Sequence, residues 1–417
     1  MSDFEPSRVS LFESRHGTHA NACVGENGYV DAETYAIGYF QATRQLLEDV
    51  LDLRKNLSQD TLVYPILFNF RHGIELSIKQ ISKVLSGCGI EGGRIDLGAH
   101  DLAGLWKGLA DQAKADRRLT AMMHSLDAVV MQLHEADPMA QEFRYSELKD
   151  GGKSLKDKRI IDLATVFELV NYAEPKFASF FVLADIVATE RTFGSFTPEL
   201  NREELKQLSV ELPDATEWET SPEFDEVKGK WREEYKLSNR GFSRAVDFIK
   251  EHREFAANIG MAGSFVALSD SIVGELLLTS DRYTRATRNQ TNESIFEFLK
   301  SGGGASGSIA PFIDGLSFDR TASMVAEIHA IFYLGLDTCD SEEYDKQLEQ
   351  SIARFESCSD EVIAREFRHV FDKLNFAQVT IQGLRMIGRL DLADKYEQLF
   401  SESRDEESES EPYTIFS

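Results

Sequence analysis

Apolar residues recur every three to four positions along most of the chain, the period of an amphipathic helix, and alternating runs of β-branched residues are scarce. Within 32–57, Ile37, Phe40, Leu47, Val50 and Leu51 share one side, and within 64–85 Ile66, Phe70, Ile74, Ile78, Ile81 and Leu85 do the same. These two predicted helices should pack as an antiparallel pair. Gly87, Gly89, Gly92 and Gly93 stop the second, because glycine just past a periodic run favours a helix end. Asp101 is suited to N-cap a short helix holding Leu102, Leu105, Trp106 and Leu109. Another helix is predicted over about 113–134, and the period resumes from Ile160 to Ala188. Between Glu142 and Leu155 the period changes, and Phe143-Arg144-Tyr145 followed by Asp150-Gly151-Gly152 predicts a small β-hairpin with a glycine turn.

The expected fold class is therefore all-α, two helical bundles with a hairpin insertion near 142–155 in the first. Residues 1–30 read as an irregular arm and 31–193 as the first bundle. Residues 194–236, with Pro198, Pro213 and Pro222 and twelve acids against six bases, read as an acidic connector with one strand or short helix. Amphipathic segments near 238–259, 264–284, 291–300, 318–336, 341–357 and 359–400 make a second bundle over 237–400. Ser301–Ser308 reads as a flexible loop, and the Ser/Glu/Asp run that opens 401–417 predicts a disordered acidic tail ending in the apolar Tyr413-Thr414-Ile415-Phe416, which suits a partner's sheet edge or groove.

Composition adds constraints. The hydrophobic share of 42% and the 28 phenylalanines supply enough apolar surface for folded cores in a chain of 417 residues. With 45 bases against 71 acids the net charge is −26, which repels nucleic acid and anionic lipid at long range, so any RNA contact needs a local basic patch. Arg282, Arg285 and Arg288 around Tyr283 read as the densest such patch, or else as cations at a helix end. The most apolar stretch, Phe177–Ala184, is too short to span a membrane, and the first residues lack the pattern of a signal peptide. Cys23, Cys88, Cys339 and Cys358 lie far apart with no paired spacing, which suits a reducing, cytoplasmic setting.

Candidate chemistry concentrates in Tyr64–Lys79. At 100° per residue Arg71, His72, Glu75 and Lys79 fall on one polar flank beside the apolar stripe. Such a cluster can bind phosphate through Arg71 and Lys79 while His72 accepts a proton; equally, Glu75 and Lys79 have the i,i+4 order of a structural pair. His100-Asp101 reads more simply as a helix cap than as an acid–base pair. Arg15-His16-Gly17-Thr18-His19 offers two imidazoles but no carboxylate or thiolate at metal-ligand spacing, so no metal site and no cofactor are expected. The glycine run at 302–307 lacks the Lys-Ser/Thr ending of a phosphate loop.

Taken together, Phe70-Arg71-His72-Gly73-Ile74-Glu75, His100-Asp101-Leu102 with Leu105-Trp106, and Phe143-Arg144-Tyr145 before a glycine turn resemble the helix–loop–hairpin pattern of HEPN-like bacterial proteins over about residues 30–190. That resemblance implies a metal-independent ribonuclease of a toxin-type or antiviral defence system, with an Arg-x(4–6)-His motif at a dimer interface and hence a homo-oligomer. The histidine then handles the ribose 2′-hydroxyl proton and the arginine stabilises phosphate charge. The spacing occurs here at Arg117-x6-His124 and Arg118-x5-His124, opposite the stripe of Leu119, Met123, Leu126 and Val130. The family motif normally lies in a late helix, whereas Ile160–Ala188 contains no histidine. The expected catalytic residues are Arg117, His124, Arg71 and His72, with Lys79, Arg144, Arg282, Arg285 and Arg288 binding substrate. The alternative is a non-catalytic protein that holds a partner through its second bundle and acidic tail.

Overall fold

The computed structural model describes residues 12, 14, 17, 19–28, 30–92, 96, 98–147, 151–156, 158–301, 310–337 and 340–410, without the side chains of 287–301, 310 and 403–410. The chain divides into two compact units, Met1–Gly194 and Ser195–Ser417. All regular structure among the described residues is helical, and no helix there is long and apolar enough to cross a membrane.

The first unit contains α1 (Ala32–Leu51), α2 (Gln59–Gly87), α3 (Leu102–Ala113), α4 (Arg117–Ala136) and α5 (Leu163–Phe193). Side-chain caps start three of them. Asp31 accepts from the Thr34 N–H at 2.8 Å, Asp116 from Arg118 at 2.7 Å and Asp162 from Ala164 at 3.1 Å. Asp101 holds the N-cap position of α3 without a side-chain cap bond; its carboxylate lies 3.6 Å from His134 Nδ1. Helices α1 and α2 are antiparallel, as expected. Ala36 faces Gly73 midway along α2, while Leu51 and Val63 line one cavity near its start. Phe40, Phe70, Ile74, Ile78, Leu126 and Phe177 are central to one core, and Phe40 stacks on Phe177 with ring centres 5.9 Å apart. Gly194, at φ 71°, ends α5 with its N–H on the Glu190 carbonyl, a left-handed cap that glycine adopts without penalty. The expected hairpin at 142–155 is reduced, among the described residues, to one antiparallel bridge between Glu147 and Lys153. Lys149 and Asp150 of its turn lie outside them.

The second unit contains α6 (Arg202–Glu211), α7 (Pro222–Glu234), α8 (Asn239–Glu251), α9 (Arg253–Asn258), α10 (Asp270–Ser301), α11 (Ala310–Asp314), α12 (Ala322–Asp337), α13 (Glu343–Glu356), α14 (Asp360–Phe371), α15 (Phe376–Met386) and α16 (Leu390–Ser410). The predicted connector is corrected here. Residues 200–237 close a core with α8 and α9 through Leu205, Leu208, Trp231, Phe242, Ile249 and Phe255. Asn201 and Glu204 form a reciprocal capping box at the start of α6. A separate core joins α10 and α12–α16. The predicted disordered tail is corrected in part, since α16 continues to Ser410; Tyr413–Phe416, like Gly302–Ser308, lies outside the described residues.

Candidate functional site

Arg71 is the first residue whose placement departs from expectation. It is 1% exposed and makes four hydrogen bonds: Nε to the Asp137 carbonyl at 2.7 Å, Nη1 to Glu75 Oε2 at 2.8 Å, and Nη2 to the carbonyls of His100 at 2.6 Å and Pro138 at 3.2 Å. Chain segments entering α3 and leaving α4 present carbonyls that no helix satisfies, and the guanidinium supplies their donors. Arg71 thus fastens both segments to α2. The expected open flank is corrected: Arg71 and Glu75 are sealed, so Arg71 does not meet a phosphate arriving from solvent.

Glu75 accepts from Arg71, from Lys79 Nζ at 2.8 Å and from His100 Nδ1 at 2.9 Å. Burial alone would raise its pKa, but the hydrogen bonds from Lys79, His100 and Arg71 outweigh burial and hold it down at about 2. Lys79 is therefore half of a structural pair, as one reading of the i,i+4 spacing allowed.

The same network carries the surface forward. Asp137 Oδ1 accepts from the Gln141 and Glu142 N–H groups at 2.7 and 3.1 Å, which fixes the turn that exposes Arg144 and Tyr145. The Arg144 guanidinium lies 5.7 Å from the Phe68 ring centre and 5.1 Å from that of Tyr145, and Nη2 donates to the Tyr145 hydroxyl at 3.1 Å. Phe68 is stacked at 10° on His72, with ring centres 5.5 Å apart, and Tyr39 meets His72 edge-on at 4.6 Å. His72 is half-buried, and burial lowers its pKa, so the imidazole is neutral at pH 7 and able to accept a proton.

Of the expected site residues, His72 and Arg144 come together, each against Phe68. Arg117 and His124 are exposed on the outer side of α4, about 10 Å apart along its axis at 1.5 Å per residue. Neither joins the α2 surface through a described contact. Arg118, the alternative partner of His124, is committed to Asp116 at 2.8 Å and to Glu190 of α5. In the patch of Arg282, Arg285 and Arg288, Arg285 pairs with Asp281 at 2.6 Å, Arg282 donates back to its own helix at the Leu278 carbonyl, and the Arg288 side chain lies outside the described residues. The three also sit inside α10 rather than at its end. Among the described residues no group of three or more His, Cys, Asp or Glu is arranged to hold a metal; Arg15 and His16 fall outside them.

No family model, no curated protein and no solved structure matches this chain.

The sequence reading missed the denser basic stretch at 144–159, where Arg144, Lys149, Lys153, Lys156, Lys158 and Arg159 face only Glu147, Asp150 and Asp157. Among the described residues Lys153, Lys156, Lys158 and Arg159 form no ion pair, whereas Arg44, Arg71, Lys79 and Arg118 all do. It also missed that Tyr64, Phe68 and His72 stand four residues apart on α2, a spacing that aligns them on one face at steps of about 6 Å.

Proposed function

We propose that the first unit is a HEPN-like module that binds single-stranded RNA along the Tyr64–Phe68–His72 face of α2, in a bacterial toxin-type or antiviral defence system. The observation that carries the reading is Arg144 lying over Phe68 and Tyr145 with no carboxylate partner among the described residues, beside His72 stacked on the same Phe68 ring. Aromatic faces receive bases whatever their identity, and an unpaired guanidinium beside them receives the backbone phosphate. The charge distribution fits this use: residues 1–194 hold 28 acids against 21 bases, so most of the net −26 resides in residues 195–417, with 43 against 24. Cleavage, where it occurs, is assigned to Arg117 and His124 on α4 or to His72. RNA cleavage that persists in chelator and is lost in His124→Ala or His72→Ala supports that step; cleavage unchanged in both variants rules it out. Fluorescence anisotropy with a short single-stranded RNA tests binding itself, which Arg144→Ala should weaken by about tenfold, the loss of one charge-assisted contact.

The acidity of residues 195–417 favours a second reading for that unit, a surface that holds a basic protein partner. Co-purification from the native host with intact chain, and loss of the partner in high salt, is its expected signature.

A further inference from the structure

A cavity of about 590 Å³ opens beside the end of the α2 stripe. Its walls come from the end of α1, the start of α2, residues 154–155 and 158–162 and the start of α5, with Leu51, Val63 and Leu155 as apolar lining and Tyr64, Lys158 and Arg159 as the groups able to grip a ligand. Residues 154 and 155 are held in shape. Leu155 adopts φ 51°, a left-handed conformation unfavourable for a branched residue, and its N–H donates to Glu142 Oε2 at 2.6 Å. Ser154 Oγ binds both the carbonyl and the carboxylate of Glu142, and the Lys158 N–H returns to the Leu155 carbonyl at 2.9 Å. Leu155 is thereby turned toward the core while Lys158 and Arg159 remain exposed, and neither cation has an anionic partner among the described residues. Asp162 is consumed by the Ala164 and Thr165 N–H groups and the Thr165 hydroxyl, which leaves Asp60 as the carboxylate open to a ribose hydroxyl or a base edge.

Two adjacent cations and one carboxylate, each without an ion pair among the described residues, and an exposed tyrosine ring around a volume of this size match a nucleotide bearing a phosphomonoester. A phosphomonoester carries more charge than the diester of an internal linkage, and two cations suit it better than one. Tyr64 belongs to the cavity and to the α2 stripe at once. We infer that the cavity takes the terminal phosphorylated nucleotide of the bound strand, Lys158 and Arg159 on the phosphate and Tyr64 beneath the base. This rests on the RNA-binding reading for the strand, but not for the nucleotide itself, which a free nucleoside monophosphate would also supply.

The test uses the full chain and anisotropy titrations of one short single-stranded RNA in three forms, with a 5′-phosphate, with a 3′-phosphate and with hydroxyl at both ends, together with competition by a nucleoside monophosphate. One phosphorylated form should bind about tenfold more tightly than the hydroxyl form. In Lys158→Gln/Arg159→Gln the ratio should fall to about one, while Lys153→Gln/Lys156→Gln, outside the cavity, keeps it. Equal affinity for all three forms overturns the cavity assignment and leaves the strand reading standing. Monophosphate binding that Lys158→Gln/Arg159→Gln removes, with no RNA binding in any form, supports the cavity and overturns the strand. Binding of neither probe overturns both.

Discussion

Arg71 and Glu75 illustrate how a buried ion pair organises a surface it never reaches. Removing Arg71 takes one of three donors from the buried Glu75 and leaves the carbonyls of Asp137, His100 and Pro138 without the guanidinium, and breaking such a buried charged network typically costs about 3–5 kcal/mol. Arg71→Ala should therefore lower stability by that order in urea denaturation, and Arg71→Met combined with Glu75→Leu should not restore it, because Lys79, Asp137 and the three carbonyls are left without their partner. The carboxylate also sets an acid limit. Glu75 ionises at about 2 in the folded chain against an ordinary 4.5, so its contribution is complete above 4.5 and is lost as the pH falls toward 2. That loss is on the order of 3 kcal/mol and should vanish from the pH–stability curve of Glu75→Gln. His72 runs in the opposite chemical sense: burial favours its neutral form, so stability falls as the pH drops below its ordinary 6.5. An NMR titration should place the His72 midpoint below that value.

At the scale of elements, the helices with a clear apolar stripe were legible, and the misreadings have physical causes. The helix wheel gave the direction of Arg71 on α2 but not what covers it, since its partners lie 29 and 66 residues away in chain segments without periodicity. The prolines and acids of 194–236 suggested a connector. Pro222 instead occupies the first turn of α7, where its missing N–H costs nothing, and Glu203, Glu204, Glu223 and Asp225 sit in first turns, where negative charge is favourable. A hairpin expectation splits the Arg144–Arg159 stretch between two strands and a turn, so periodicity does not mark its cations as one group. Packing sets a further test in the second unit. α12 and α15 cross where a side chain on Gly335 would strike the Val379 carbonyl and one on Gly383 the Ile331 carbonyl, both backbone atoms that cannot swing away. Gly335→Ala and Gly383→Ala should each destabilise by roughly 1–3 kcal/mol or more, visible as a lowered denaturation midpoint. Gly229, at an exposed position of α7 with open space around it, should accept alanine without loss.

Across the whole molecule, charge and aromatic surface are distributed unevenly between the two units. The acids concentrate in residues 195–417, while the stretch 144–159 of the first unit holds Arg144, Lys153, Lys156, Lys158 and Arg159 with no carboxylate partner among the described residues; Arg144 lies over Phe68 and Tyr145, and Lys158 and Arg159 share a cavity with Tyr64. An RNA strand approaching this chain is repelled overall and attracted locally, so binding should be strongly salt-dependent and confined to that face. The most direct measurement is the affinity of the full chain for short single-stranded RNA, titrated across salt concentration for the natural sequence and for Arg144→Glu. The account predicts binding that weakens steadily with salt, with Arg144→Glu about tenfold weaker or more and a shallower salt slope. Absence of binding at low salt, or a variant indistinguishable from the natural sequence in affinity and slope, would contradict it.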